Sequence, residues 1–131
     1  MHLGVAVASM EKALTVYQGL FDYKLVSGPF SDPIQRVSVC FLGSGSANDI
    51  TIELVEPLDD QSPIRKILEK GGGAYHICYE VADLDATLRT VADKGCVIVS
   101  RPAPAVAFEN RRIAWFYTPT RQLIEIVEKT A

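Results

Sequence analysis

Two histidines and two glutamates stand at matched places in two stretches of this chain. His2 opens the apolar run His2-Leu3-Gly4-Val5-Ala6-Val7, and His76 opens His76-Ile77-Cys78-Tyr79-Glu80-Val81, 74 residues later. Glu53 lies inside Ile52-Glu53-Leu54-Val55-Glu56 and Glu125 inside Ile124-Glu125-Ile126-Val127-Glu128, at an interval of 72. The segment from His2 to Leu14 aligns without a gap on that from His76 to Leu88. Such self-similarity marks two copies of one structural unit. Folding the copies against each other about a pseudo-twofold axis gathers two imidazoles and two carboxylates, a donor set suited to a divalent metal. A single histidine at a strand start is most often an ordinary hydrogen-bonded group. Two in register, with two mid-strand carboxylates whose burial is costly unless they are paired, favour the metal reading. Glu56 and Glu128, also in register, read more simply as rim or solvent charges.

The elements that must position these side chains alternate in the same order in both copies. Residues 2–7 read as a strand, Ser9 as an N-cap and 10–20 as a helix with Ala13, Leu14, Tyr17 and Leu20 on one face. Strands follow near 23–27, 36–42 and 50–56, the last two parted by the turn-rich run Gly43 to Asp49. Ser62-Pro63 reads as a capping hydroxyl followed by a proline at the first helical position of a short linker helix, about 62–70. Gly71-Gly72-Gly73 ends that helix; without the Gly-Lys-Ser/Thr of a phosphate loop it is a turn and hinge. The second copy reads as strand 74–81, Asp83 cap, helix 84–94, and strands 96–100, 112–118 and 122–128. Arg101 to Glu109, with Pro102 and Pro104, reads as a long loop and a candidate lid.

Alternation along a strand sorts side chains between its two faces. His2 and Glu53 fall opposite Leu3, Val5, Ile52 and Leu54, and His76 and Glu125 fall opposite Ile77, Ile124 and Ile126. The branched residues should pack on the helices, leaving the ionisable groups on the other face. The expected class is α+β: two βαβββ modules, about 1–58 and 74–129, forming one open metal-centred barrel in a single domain spanning 1–131.

Composition sets outer limits. With 131 residues, 48% of them hydrophobic, the chain has the material for one compact core. A net charge of −3 argues against general nucleic-acid binding, which needs clustered positive charge. Three cysteines, an odd number set in apolar patterns, read as reduced thiols of a cytoplasmic protein. No apolar run reaches membrane-spanning length, and no signal-peptide pattern opens the chain, so no membrane partner is expected.

These stretches resemble the vicinal oxygen chelate superfamily, the glyoxalase, bleomycin-resistance and extradiol-dioxygenase group. Within it, the runs from His2, from Ile52, from Asp60 (Asp-Gln-Ser-Pro-Ile) and from Tyr75 look most like methylmalonyl-CoA epimerases and short bacterial glyoxalase I enzymes. The resemblance implies paired βαβββ modules and places the family's four metal positions on His2, Glu53, His76 and Glu125. It implies removal of a proton from carbon beside a carbonyl, with Glu125 and Glu53 as ligands that also serve as bases. Glutamate at the second position is the usual glyoxalase I choice, where epimerases often carry glutamine. Some epimerases have a further glutamate in the third strand, where this chain offers Ser38, and their His-Pro-Lys before the last strand is replaced by Tyr117-Thr118-Pro119-Thr120. Arg112 resembles a family arginine lining the pocket and is expected, with Ser38, on the substrate side, where a guanidinium could pair with a carboxylate.

The expected activity is an epimerase-like isomerisation of a small-molecule thioester using Co, Ni, Mn or Zn. The alternative is glyoxalase I acting on a hemithioacetal, and a third reading is a metal-free small-molecule binding protein. An extradiol dioxygenase would need open the position that Glu53 fills. A homodimer is expected.

Overall fold

The computed structural model describes residues 1–130. The chain is α+β and divides into two compact units, His2–Tyr75 and the chain from His76 onward. Each is a small sheet with α-helix packed on it, two helices in the first unit and one in the second.

The first unit opens with β1 (His2–Ala6), α1 (Met10–Phe21), β2 (Lys24–Asp32), β3 (Val37–Gly43) and β4 (Thr51–Pro57). Its strand order is β2-β3-β4-β1, antiparallel except for the parallel β4-β1 pair. The parallel closure follows from the connectivity: a crossover through α1 and two hairpins bring the fourth strand back beside the first in the same direction. Ser9 caps α1 as expected, its hydroxyl accepting the Lys12 N–H at 3.3 Å. Val5, Met10, Cys40, Leu42, Ile52 and Leu54 form the core under that helix, joined by Leu3, Val7, Ala13, Leu14 and Tyr17. Asp32 is buried at the β2–β3 turn, where its carboxylate accepts from the backbone N–H of Ile34 and Gln35 and from the Gln35 amide.

After β4 comes α2 (Ile64–Glu69), packed on β1 and β4. Pro63, not Ser62, takes the cap position, and no side chain caps the helix. The Ser62 hydroxyl is buried and has no hydrogen-bond partner among the described residues, so the expected capping hydroxyl is not one. Proline's fixed φ already starts the first turn. Gly71, Gly72 and Gly73 all have positive φ, of 113°, 68° and 88°. Gly72 is additionally confined, because a Cβ there would lie 3.0 Å from the Ala6 carbonyl oxygen.

The second unit repeats the order. It contains β5 (Gly73–Val81, its residues from His76), α3 (Leu84–Asp93), β6 (Val97–Ile98), β7 (Ala103–Ala105), a 3-10 turn (Val106–Phe108), β8 (Arg111–Tyr117) and β9 (Leu123–Glu128). β5 runs parallel to β9, β9 antiparallel to β8, and β6 and β7 both pair with β8. Asp83 caps α3 by accepting the Ala86 N–H at 2.9 Å. Leu84, Ala114, Phe116, Ile124 and Ile126 form the core beneath it.

Two expectations change in this unit. The strand expected at 96–100 is reduced to Val97–Ile98, and the candidate lid 101–109 contains the β7 strand and the 3-10 turn instead of being a plain loop. Pro104 is tolerated in β7 because it lies in a short edge segment paired on one side, where its missing N–H costs no ladder bond. Arg111 secures the turn: its Nε donates to the Phe108 carbonyl at 3.3 Å and its guanidinium lies 5.6 Å from the Phe108 ring centre. No helix among the described residues is long and apolar enough to cross a membrane.

Candidate functional site

In the first unit the parallel β1-β4 pair puts His2 and Glu53 on the face opposite α1. Their neighbours Leu3, Val5, Ile52 and Leu54 turn toward the helix, as alternation predicts. His2 Nε2 lies 3.3 Å from Glu53 Oε1, and the two residues are only 4% and 5% exposed. Phe41 is in register with Glu53 across β3 and β4, and its ring meets the His2 imidazole edge to face, centroids 5.5 Å apart at 65°.

The second unit builds the same trio. His76 Nε2 lies 3.3 Å from Glu125 Oε1, with exposures of 3% and 2%. Trp115 is in register with Glu125 across β8 and β9, and its ring meets the His76 imidazole at 4.7 Å and 84°. Cys78, in register with Glu125 across β5 and β9, is buried with Ala105, Ile113 and Val127. Phe41 and Trp115 escaped the reading of the residues. A signal for them exists, since they are 74 residues apart, the His2–His76 interval, and each follows an alternating apolar pattern.

Two expected substrate-side residues lie elsewhere. Arg112 alternates with Ile113 and Trp115 and shares the face of Ala114 and Phe116, which pack under α3. Its guanidinium donates to both oxygens of Glu128 at 3.0 Å and to Asp85 at 3.1 Å. These carboxylates, bonded to it, hold Arg112 above its ordinary pKa. Ser38 shares the face of Cys40 and Leu42, which face α1, and stands in register with Glu56. Neither residue shares a face with the glutamate of its own His–Glu pair. On the Glu53 face β3 offers Val39 and Phe41, with no ionisable group between them.

Glu56 and Glu128 are also more than rim charges. Glu56 Oε2 accepts the N–H of Met10, the first residue of α1, at 2.7 Å. Glu128 Oε1 accepts the N–H of Leu84, the first residue of α3, at 3.3 Å. Each helix start thus leans on a carboxylate from the last strand of its own unit, where the helix dipole favours negative charge. Hydrogen bonding from Arg112, then from the Leu84 N–H, holds the Glu128 carboxyl below its ordinary range. Cys40, Cys78 and Cys96 form no disulfide. Burial, with the Glu53 charge second, pushes the Cys40 thiol up to about 11, so it is a packing group and a poor nucleophile at neutral pH.

A repeated βαβββ unit presenting a buried His–Glu pair on the face away from its helix directs the comparison with known proteins. Residues 1–115 match the sequence profile of the Glyoxalase/Bleomycin resistance protein/Dioxygenase superfamily. The chain belongs to that superfamily. It is 30% identical to an ethylmalonyl-CoA/methylmalonyl-CoA epimerase of Cereibacter sphaeroides over 88% of this chain and 85% of that protein. The structure resembles the crystal structure of methylmalonyl-CoA epimerase from Mycobacterium tuberculosis with a TM-score of 0.84 and 32% identity, over 99% of this chain and 87% of that one. It resembles a Streptomyces coelicolor methylmalonyl-CoA epimerase, solved with 2-nitronate-propionyl-CoA, with a TM-score of 0.82 and 25% identity over 99% and 96% of the two chains. The fold is therefore glyoxalase-like, of the form adopted by these epimerases.

Proposed function

We propose that this chain is a metal-dependent epimerase of a methylmalonyl-CoA-like thioester. In this reading the whole chain acts as one domain, and His2, Glu53, His76 and Glu125 hold one divalent ion between them. The observation that carries the reading is the repetition of a buried His–Glu pair at the same 3.3 Å separation in both units of a chain similar to epimerases. The donor set passes the chemical test for such an ion: two imidazoles and two carboxylates suit Co, Ni, Mn or Zn.

The ion, when bound, supplies a Lewis acid that draws charge onto the thioester oxygen as the adjacent carbon loses its proton. The rest falls to the chain. Epimerisation breaks a C–H bond, places its electron pair in the enolate and returns a proton to the opposite face, with no net redox change. One group on each side of the carbon is sufficient. Glu125 from the second unit and Glu53 from the first are assigned those proton transfers. The apolar side chains around each pair, Phe41 and Trp115 among them, limit the access of water to it.

The test loads the purified protein with each of the four metals and measures the bound ion by elemental analysis. Deuterium uptake from heavy water is then followed in parallel on methylmalonyl-CoA and on the methylglyoxal–glutathione hemithioacetal. One ion per chain and exchange on the thioester are expected. Absence of metal uptake would remove the ligand assignment, and turnover of the hemithioacetal alone would replace the epimerase by a glyoxalase I.

A further inference from the structure

The two units share a third feature that the ligand pairs do not require: an aromatic side chain opposite each glutamate and against each histidine. Phe41 faces Glu53 in the β3-β4 register and touches His2; Trp115 faces Glu125 in the β8-β9 register and touches His76. We propose that Phe41 and Trp115 are positioning residues, each fixing the ring plane of its histidine so that Nε2 is aimed at the glutamate of the same unit.

An imidazole at a strand position can rotate about χ2, a broad torsion with weak intrinsic preference. Only one part of that rotation brings Nε2 to 3.3 Å from the carboxylate oxygen. An edge-to-face partner selects that part, because aromatic rings prefer a perpendicular, offset contact with centroids ~4.5–7 Å apart. Both contacts fall in that range, and the Trp115 contact is closer and nearer perpendicular: 4.7 Å and 84° against 5.5 Å and 65°. The two aromatics are themselves held. Phe41 is buried, and Trp115 packs on the cluster of Cys78, Ala105, Ile113 and Val127 with Phe108. This makes Trp115 the stronger determinant and ties the pose of His76 to the Ala103–Phe108 segment.

The inference rests on the ligand assignment above, and its test separates the two. The chain has 2 histidines, so the imidazole Cε1–Hε1 region of a proton–carbon spectrum contains two signals. In metal-free protein both should be narrow and displaced by ring currents. Trp115→Leu should move and broaden the His76 signal while leaving that of His2 in place; Phe41→Leu should do the reverse, and Trp115→Phe should restore a narrow His76 signal. On metal titration, followed by competition with a chelating dye, Trp115→Leu should bind about tenfold more weakly than wild type and Trp115→Phe nearly normally, in the range seen when the supporting shell of a metal site is altered. An unmoved, narrow His76 signal in folded Trp115→Leu would overturn the proposal, as would equal loss in Trp115→Phe and Trp115→Leu. A wild-type chain that binds no metal would sink the ligand assignment and leave the spectra to decide the positioning role alone.

Discussion

Removing the Glu56 side chain should loosen the start of α1 and stabilise nothing in exchange. Glu56 Oε2 accepts the Met10 N–H at 2.7 Å across 46 residues of sequence, and Met10 is itself buried. Glu56→Ala therefore leaves a helix-terminal N–H with neither its partner nor free access to water. A hydrogen bond to a charged group contributes about 1.5–3 kcal/mol, and the favourable charge at a helix N-terminus about 0.3–1 kcal/mol. Partial rehydration at the half-exposed carboxylate offsets some of this, which leaves a loss of about 2 kcal/mol. For a chain of 131 residues, at roughly 3–4 °C per kcal/mol, Tm should fall by about 6–8 °C. Glu56→Gln keeps an acceptor oxygen and loses the charge, so about half that fall is expected. Thermal melts and urea titrations at neutral pH give the magnitudes, and amide exchange at Met10 locates the effect. A Glu56→Ala chain within about 0.5 kcal/mol of wild type, the usual range for surface changes, would refute the assignment of this carboxylate as a helix anchor. The consequence reaches the site, since Glu53 lies on the same strand three residues earlier and on its other face.

Glu125→Gln should keep the fold and still bind metal while losing about a hundredfold or more of turnover, because the amide offers an oxygen ligand and accepts no proton; near-wild-type epimerisation in that variant would remove Glu125 from the proton path. Glu128 is the group whose titration should mark the acid limb of stability. Its folded pKa lies below the ordinary 4.5, so its contribution is present above that value and is lost as pH falls through the folded pKa. The stability gap between wild type and Glu128→Gln should accordingly be constant near neutrality and close below pH about 4.5. A gap that persists at pH 2 would show that the contact with Arg112 and Leu84 does not depend on the charge.

What the chain determines locally was legible in its residues. The period-two alternation of Leu3, Val5, Ile52 and Leu54 against His2 and Glu53 depends only on neighbours in one strand, and it assigned the helix face and the opposite face correctly. The caps at Ser9 and Asp83 are equally local, each closed within three residues. The internal repeat then carried the βαβββ order from one unit to the other. Cross-strand register is a different kind of information, because it is set by pairings between distant segments. The resemblance alone put Arg112 on the substrate side, and only the register that sets Trp115 opposite Glu125 shows that Arg112 shares the α3 face with Ala114 and Phe116. Ser38, three residues before Phe41, pairs with Glu56 and so falls on the other face of β3 from Phe41. The anchoring by Glu56 and Glu128 joins residues 46 and 44 apart, and no local pattern announces such a bond. The residues that touch the histidines were decided the same way: alternation can place Phe41 and Trp115 on a face, but only the packing of three strands brings a ring to 5.5 or 4.7 Å from an imidazole.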